Sequence, residues 1–442
     1  MKPYLKYKNS GVEWIGEIPE HWAVQRGKYV YKEVKEKSED GSETLLSVSE
    51  YYGVSPRSEV IEEGDWLTRA DSLVGYKICK RNDLIINIML AWKRGLGVTF
   101  WEGIVSPSYS VFRCISDNYD PTYLHHLLRT DFYIAEFKRN STGIIDSRLR
   151  LYPEEFLRIN IISPPKSEQQ AIATFLDRKT RQIDTLIEKK QKLIALLKEQ
   201  RTAIINQAVT RGLNANVKLK DSGIEWLGEI PEHWEVKRLK YIANVQFSNV
   251  DKKSYENEED VFLCNYLDVY NNEFINSKID FMKATALPRE IEKFTIKYGD
   301  VLTTKDSETP DDIANAALVT EDFNNVLCGY HLTHIRPDRR FLLGEYLFRL
   351  FYAKKFNDQF AVSANGITRY GLSTHSFNSS YISLPSINEQ NQIAEYLDKI
   401  AKEIDISIEN HIKSIKLLQE YRTALISEAV TGKIDVREEV SV

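Results

Sequence analysis

The sequence predicts an α+β protein in which two mixed α/β domains are separated by two long helices. The helices are expected to form an antiparallel coiled coil, and the whole chain to be an internal pseudo-two-fold repeat. Three observations lead there. A short aromatic motif occurs twice, a long amphipathic helix follows it twice, and strand-like runs broken by turns fill the stretches between, 26–163 and 238–384.

The motif comes first in each copy. Lys8 to Val30 reads KNSGVEWIGEIPEHWAVQRGKYV and Lys220 to Ile242 reads KDSGIEWLGEIPEHWEVKRLKYI, identical at sixteen of 23 positions with an offset of 212. Trp14, Trp22, Trp226 and Trp234 supply four of the seven tryptophans of the chain. So many aromatics in one short loop suit a packing anchor better than a chemical role for the histidine and tryptophan of PEHW.

The divergent segments carry strand patterns at Leu84–Met89, Ser110–Cys114 and Val301–Thr304. Turn signals occur at 63–65 (Glu-Gly-Asp) and 298–300 (Tyr-Gly-Asp). Tyr123–Lys138 and Glu345–Phe356 read as amphipathic helices, and the charge-mixed stretch Lys32–Glu43 as solvated loop or helix. Faint parallels link the two segments: Asn82-Asp83 with Gly299-Asp300, Arg113 with Arg336, Tyr123-Leu124 with Tyr346-Leu347.

The long helices close each copy. Apolar residues at Ile172, Leu176, Ile183, Ile187, Ile194, Leu197, Ile204 and Val209 recur 221 residues later at Ile393, Leu397, Ile404, Ile408, Ile415, Leu418, Leu425 and Val430. Steps of three, four and seven are those of a coiled-coil stripe. Pro164, Pro165 and Pro385 bar helix upstream, so Ser167 and Asn388 are expected as N-caps, with Glu168 and Glu389 beside the positive end of the dipole. Each helix is about 43 residues, on the order of 65 Å, and needs a partner of its own length. Lys190 and His411 interrupt the stripe at its midpoint. A register-setting pair in an antiparallel seam and a snorkelling lysine with a satisfied histidine explain this equally well.

Composition narrows the function. The chain has 442 residues, roughly two to four domains, with 42% hydrophobic and 28% charged residues, which excludes a disordered chain. A net charge of -5 means that any nucleic-acid binding must come from local patches. Cys79, Cys114, Cys264 and Cys328 are far apart in sequence and lack zinc-ligand spacing, as in a reducing compartment. No run approaches the ~18 apolar residues of a membrane span, so a cytoplasmic protein is expected, neither secreted nor inserted in a membrane.

A search for catalytic residues finds none. There is no P-loop, nucleophile elbow or HExxH; Gly95-Leu-Gly97 is too short for a dinucleotide fingerprint, and His331 and His334 point to opposite faces of the strand their pattern implies. No metal ligand is expected. Basic, aromatic and amide side chains do interleave within the divergent segments: Arg69, Lys77, Lys80-Arg81, Trp92-Lys93-Arg94, Arg139-Asn140-Ser141 and Arg148, then Lys305, Arg336, Arg339-Arg340, Asn365 and Arg369-Tyr370. Taken singly these are solvated charges. In two domains held apart by a helical rod they suit the reading of two half-sites with a spacer.

The chain resembles the specificity subunit of type I restriction–modification systems over essentially its full length. The resemblance rests on the doubled SGxEWxGEIPEHW motif, the run from Gly53-Val54, Asn82-Asp83-Leu84-Ile85-Ile86-Asn87 with Ala91-Trp92, Ser106-Pro107 with Tyr109, and the starts Glu168-Gln169 and Glu389-Gln390. It implies target-recognition domains at 1–163 and 215–384 and helical regions at 164–214 and 385–442. Each domain would bind one half of a split site in double-stranded DNA, and the helices would set the spacer and dock two modification subunits. It further implies that this chain is non-catalytic and holds no cofactor. Methylation of adenine with S-adenosylmethionine, and ATP- and Mg-dependent translocation and cleavage by restriction subunits, would belong to its partners. Base-reading residues differ among members of the family. The DNA-contacting candidates are therefore the clusters Trp92, Lys93, Arg94 and Ser141 in the first domain and Lys305, Asn365, Arg369 and Tyr370 in the second. The competing readings are a DNA-binding module without a methyltransferase and a protein-binding scaffold with a coiled-coil spacer. A fused methyltransferase is excluded, because no NPPY-type motif is present.

Overall fold

Each long helix is a single element in the computed structural model, Lys166–Arg211 and Ile387–Val430, 46 and 44 residues long. The structure describes residues 2–59, 72–225 and 227–440, so the turn at 63–65, Arg69 and Trp226 lie outside the described residues. The chain divides into two compact units, Met1–Lys190 with Lys413–Val442, and Gln191–Ile412. Each therefore joins one mixed domain to half of each long helix, and the polar positions Lys190 and His411 fall at the division. No helix among the described residues is long and apolar enough to cross a membrane.

In the first unit an antiparallel sheet runs in the order Tyr31–Val34, Tyr109–Cys114, Leu84–Asn87, Leu96–Val98. The strand Tyr31–Val34 occupies the start of the stretch expected to be solvated loop or helix. Its alternation survives in burial: Tyr31 is enclosed and Lys32 exposed. Val30, Tyr31, Phe112, Tyr123, Tyr133, Phe137 and Phe156 form a core that continues onto Ile172, Phe175, Leu176 and Ile183 of the first long helix and Leu425, Ala429 and Val430 of the second. The helix expected over Tyr123–Lys138 is two, Pro121–Leu128 and Asp131–Arg139. Thr130 breaks it, because its side chain caps the second piece by accepting from the Tyr133 N–H.

The second unit repeats the plan with a larger sheet, in the order Ala243–Phe247, Leu332–Pro337, Val301–Thr304, Ala316–Val319, Phe274–Ile275. A second sheet places Glu259–Cys264 between Met282–Ala286 and Val326–Cys328. Two cysteines distant in sequence, Cys264 and Cys328, are buried in register across that parallel pair, both free. The expected helix Glu345–Phe356 is again split, into Gly344–Phe351 and Lys354–Ser363.

The repeated motif is an anchor, as its composition suggests. Trp22 and Trp234 are fully buried, and their indole N–H groups meet no acceptor among the described residues, so packing alone holds them. His21 pairs with Glu168 at 2.8 Å and His233 with Glu389 at 3.0 Å, fastening each motif to the first turn of the helix it precedes. Both helices start earlier than expected. The N–H groups of Glu168 and Gln169 reach the Pro165 carbonyl, so Ser167 already lies inside the helix. In the second copy Ser386, not Asn388, caps through its hydroxyl to the Glu389 N–H at 3.3 Å.

Each long helix ends on a left-handed glycine packed against a motif tryptophan. A Cβ on Gly432 would lie 2.6 Å from Pro19 Cδ and 2.9 Å from Trp22 Cη2, whereas one on Gly212 would lie no closer than 3.3 Å to its neighbours. Both glycines have φ near +75° (75° and 76°), so backbone strain is common to the two positions. Gly432→Ala is expected to destabilise the full chain by about 1–2 kcal/mol more than Gly212→Ala, from overlap alone. Urea-unfolding midpoints of the two variants measure the difference.

Candidate functional site

The faint parallels between the copies prove to be a shared brace. Asp83 accepts from Nε and Nη2 of Arg113, both at 3.0 Å, and Asp300 from the same atoms of Arg336 at 2.8 and 2.6 Å. Each carboxylate also closes its own turn, accepting from the N–H of Lys80 or Lys297 at 2.8 Å. Asp300 meets a third donor, His334, at 2.7 Å. The brace fixes the starts of Leu84–Asn87 and Val301–Thr304, the strands that lead to the candidate DNA-contacting residues. Arg336 is thereby a structural residue.

In the first unit, Leu84–Asn87 leads into the turn Ala91–Lys93, which carries Trp92 and Lys93 and ends at Arg94 in left-handed backbone with φ 62°. The Trp92 indole donates to the Met89 carbonyl at 3.0 Å, and the ammonium groups of Lys93 and Lys138 lie 5.0 and 5.2 Å from its ring centre. Arg94 is ion-paired with Asp131 at the start of helix Asp131–Arg139. Ser141 follows that helix, its hydroxyl donating to the Phe137 carbonyl at 2.7 Å. The structure thus gathers Trp92, Lys93 and Arg94 on one turn against one helix, and puts Ser141 at that helix's far end.

In the second unit the four candidates converge. Asp306–Ser307 pairs with Tyr370–Gly371, the Leu372 N–H donates to the Lys305 carbonyl at 2.8 Å, and Asn365 and Gly371 exchange both backbone hydrogen bonds. The Lys305 ammonium lies 4.9 Å from the Phe247 ring and 4.8 Å from the Tyr330 ring, and burial lowers its pKa. Arg369 pairs with Asp306 at 2.6 Å, and His331 meets the same carboxylate at 2.8 Å. His331 and His334 therefore each have a carboxylate of their own. A cleft of about 460 Å³ opens beside this knot, between the stacked rings of Tyr266 and Tyr270 and the side chains of Asp306, Asp312 and Arg369.

Three other basic residues singled out by sequence are committed elsewhere. Lys77 donates to the Tyr109 carbonyl at 2.6 Å, and Arg139 and Arg340 pair with Glu136 and Asp338. Pattern reasoning missed Arg150 and the two isoleucines at 144 and 367, which stand almost wholly exposed. Single exposed apolar residues leave no periodic signal.

Burial would raise the Asp300 carboxyl, but Arg336 and His334 outweigh it and hold the group below the usual carboxylate range. Such a group stabilises the fold above its unfolded value of about 3.9, and that contribution is lost as pH falls through the lower folded value. Asp300→Asn is therefore expected to cost about 2 kcal/mol at pH 7, below the ~3–5 of fully enclosed pairs because Arg336 keeps a wet edge. The gap between parent and variant should close as pH drops below about 4, read by urea titrations at each pH.

Comparison with known proteins places these features in a family. The model described as the type I restriction modification DNA specificity domain matches residues 15–196 and again 231–417. The MjaVIII type I restriction enzyme specificity subunit of Methanocaldococcus jannaschii is 23% identical over 432 residues, covering 95% of this chain and 94% of that one. Among solved structures, a chain from work on complex assembly and conformational transition of the type I R-M system aligns with a TM-score of 0.70 at 14% identity, over 94% of this chain and 99% of that chain. The HsdS subunit from Thermoanaerobacter tengcongensis aligns with a TM-score of 0.58 at 15% identity, over 94% and 98%. Both share the fold.

Proposed function

The chain belongs to the family of type I restriction modification DNA specificity domains, with two copies in one polypeptide, and from that premise we propose that it is the non-catalytic DNA-specificity subunit of a type I restriction–modification complex. The observation that carries this reading is the doubled unit itself, a mixed domain fastened to halves of two long helices, matched by the family in both copies. A scaffold with a coiled-coil spacer would need no such match, and nothing in either domain favours it.

Within this reading, target-recognition domains at 1–163 and 215–384 each bind one half of a bipartite duplex site. Trp92, Lys93, Arg94 and Ser141 make contacts in one half, and Lys305, Asn365, Arg369 and Tyr370 in the other. Helical regions 164–214 and 385–442 set the spacer and dock two modification subunits, with restriction subunits completing the complex. S-adenosylmethionine, ATP and Mg belong to those partners. The cytoplasm is the compartment this reading requires.

Co-expression with a modification subunit from the same genome, in a host without other adenine methylation, tests the proposal. Methylation-sensitive sequencing should find methylated adenines in one split motif with a fixed gap. A stable complex that leaves DNA unmethylated would bring the scaffold reading forward. The spacer role has its own test. Inserting one heptad into both long helices adds ~10 Å, about three base pairs, so the gap should widen by that amount while the half-sites stay the same.

A further inference from the structure

The two loops that follow the paired short helices share a construction. Thr142-Gly143-Ile144 and Asn365-Gly366-Ile367 stand 223 residues apart, the offset that also relates Tyr123 to Tyr346. In the first unit the loop neck is pinned by Thr142 N–H to the Arg150 carbonyl at 2.9 Å and the reverse bond at 3.0 Å. In the second, Asn365 and Gly371 make the same exchange at 3.0 and 2.9 Å. The neck leaves no room for a side chain: a Cβ on Gly143 would lie 2.7 Å from the Arg148 carbonyl oxygen, and one on Gly366 at 1.9 Å from that of Arg369. Beyond each glycine stands an isoleucine with almost no cover, Ile144 at 98% exposure and Ile367 at 93%.

We propose that Ile144 and Ile367 are wedges that insert between stacked base pairs, one in each half of the DNA site, and so contribute to specificity through the cost of opening that step. The proposal rests on the DNA-reading function above. A lone exposed isoleucine needs no explanation on a protein surface. Two at equivalent points of domains that have otherwise diverged, each on a hydrogen-bonded neck, do need one. Their surroundings select the occupant. Arg148 and Arg150 flank Ile144, and their guanidinium groups meet no acceptor among the described residues; Arg369, exposed beside Asp306, follows Ile367. Apolar tip with arginine flank is the chemistry of side chains that unstack a base step while gripping phosphates. A protein partner would instead call for a contiguous apolar patch, whereas the exposed apolar neighbours in sequence are single side chains, Ile145 at 53% beside Ile144 and Val362 at 88% ahead of the Asn365 neck. Steps that unstack readily, such as pyrimidine–purine steps, are the expected targets.

The test uses the full chain with its modification subunits and a duplex carrying the methylated motif. 2-Aminopurine replaces each adenine in turn, apart from the methylated one, which methyl transfer itself draws from the stack. The parent complex should raise fluorescence at one step in each half. Ile144→Ser should abolish the rise in one half and Ile367→Ser in the other, each weakening binding roughly 10- to 100-fold. Ile144→Leu should retain both, and urea midpoints should not move, since neither side chain is packed. Parent-like binding by the serine variants, or a rise that persists in them, overturns the wedge alone. So does a serine variant that loosens the modification subunits while DNA binding is intact. A parent complex that prefers no bipartite duplex over random DNA overturns the DNA-reading function and the wedge with it.

Discussion

Two tyrosine hydroxyls hold the architecture together. Tyr123 is buried between the carbonyls of Ile162 and Val430, at 3.4 and 3.1 Å, and Tyr346 between those of Ser383 and Val209, at 3.0 and 3.3 Å. In each unit the strand that leads into one long helix and the last turn of the other thus meet at one phenol. The last carbonyls of a helix have no partner within it, and burying them unpaired would be costly. Gln169 and Gln390 complete the joint from the other side. The Gln169 amide donates to the carbonyls of Asn118 and Pro164 and its oxygen accepts from the Asp120 N–H; Gln390 does the same with Phe341, Pro385 and Leu343. A domain that grips the start of one helix and the end of the other admits only antiparallel helices.

The helices are further locked by charge, and here the copies differ. Asp184 pairs with Arg422 in the first unit, and Asp405 with Arg201 in the second, at positions related by the same 221-residue offset. A second pair ties domain to helix: Arg349, 1% exposed, reaches Asp398, while the equivalent first-unit pair is His126 with Asp177 at 3.2 Å. Arg349 also meets Glu273, which in turn holds Arg201. The second unit thus carries a guanidinium network where the first relies on an imidazole.

Much of this was legible in the sequence because it is periodic or repeated. The stripe from Ile172 to Val209 marks a helix, and its recurrence marks the partner. What was hidden depends on partners distant along the chain. Arg369 reads as a free cation until Asp306, 63 residues away, is seen to hold it. Lys305 reads as a phosphate grip until the rings of Phe247 and Tyr330 enclose it. The helix starts were misplaced by two residues at Ser167 and Asn388, because the Pro165 carbonyl accepts, and the Ser386 hydroxyl caps, two positions upstream of where polar side chains suggested. The split at Thr130 was a legible signal, a capping residue followed by an acid, that the apolar period masked.

The division between what repeats and what diverges is itself functional. Residues identical in the two copies, Trp22 and Trp234, Glu168 and Glu389, Gln169 and Gln390, Tyr123 and Tyr346, all seat helices or anchor the motif. Residues that differ, such as Trp92 through Arg94 and Lys305 through Ser307, sit on strands and turns fixed from beneath by the shared Asp–Arg brace. Substitution there leaves that brace and the joint untouched, so one scaffold tolerates two unrelated surfaces. Two different surfaces on equivalent mounts suit an asymmetric target, in which the second half-site does not repeat the first.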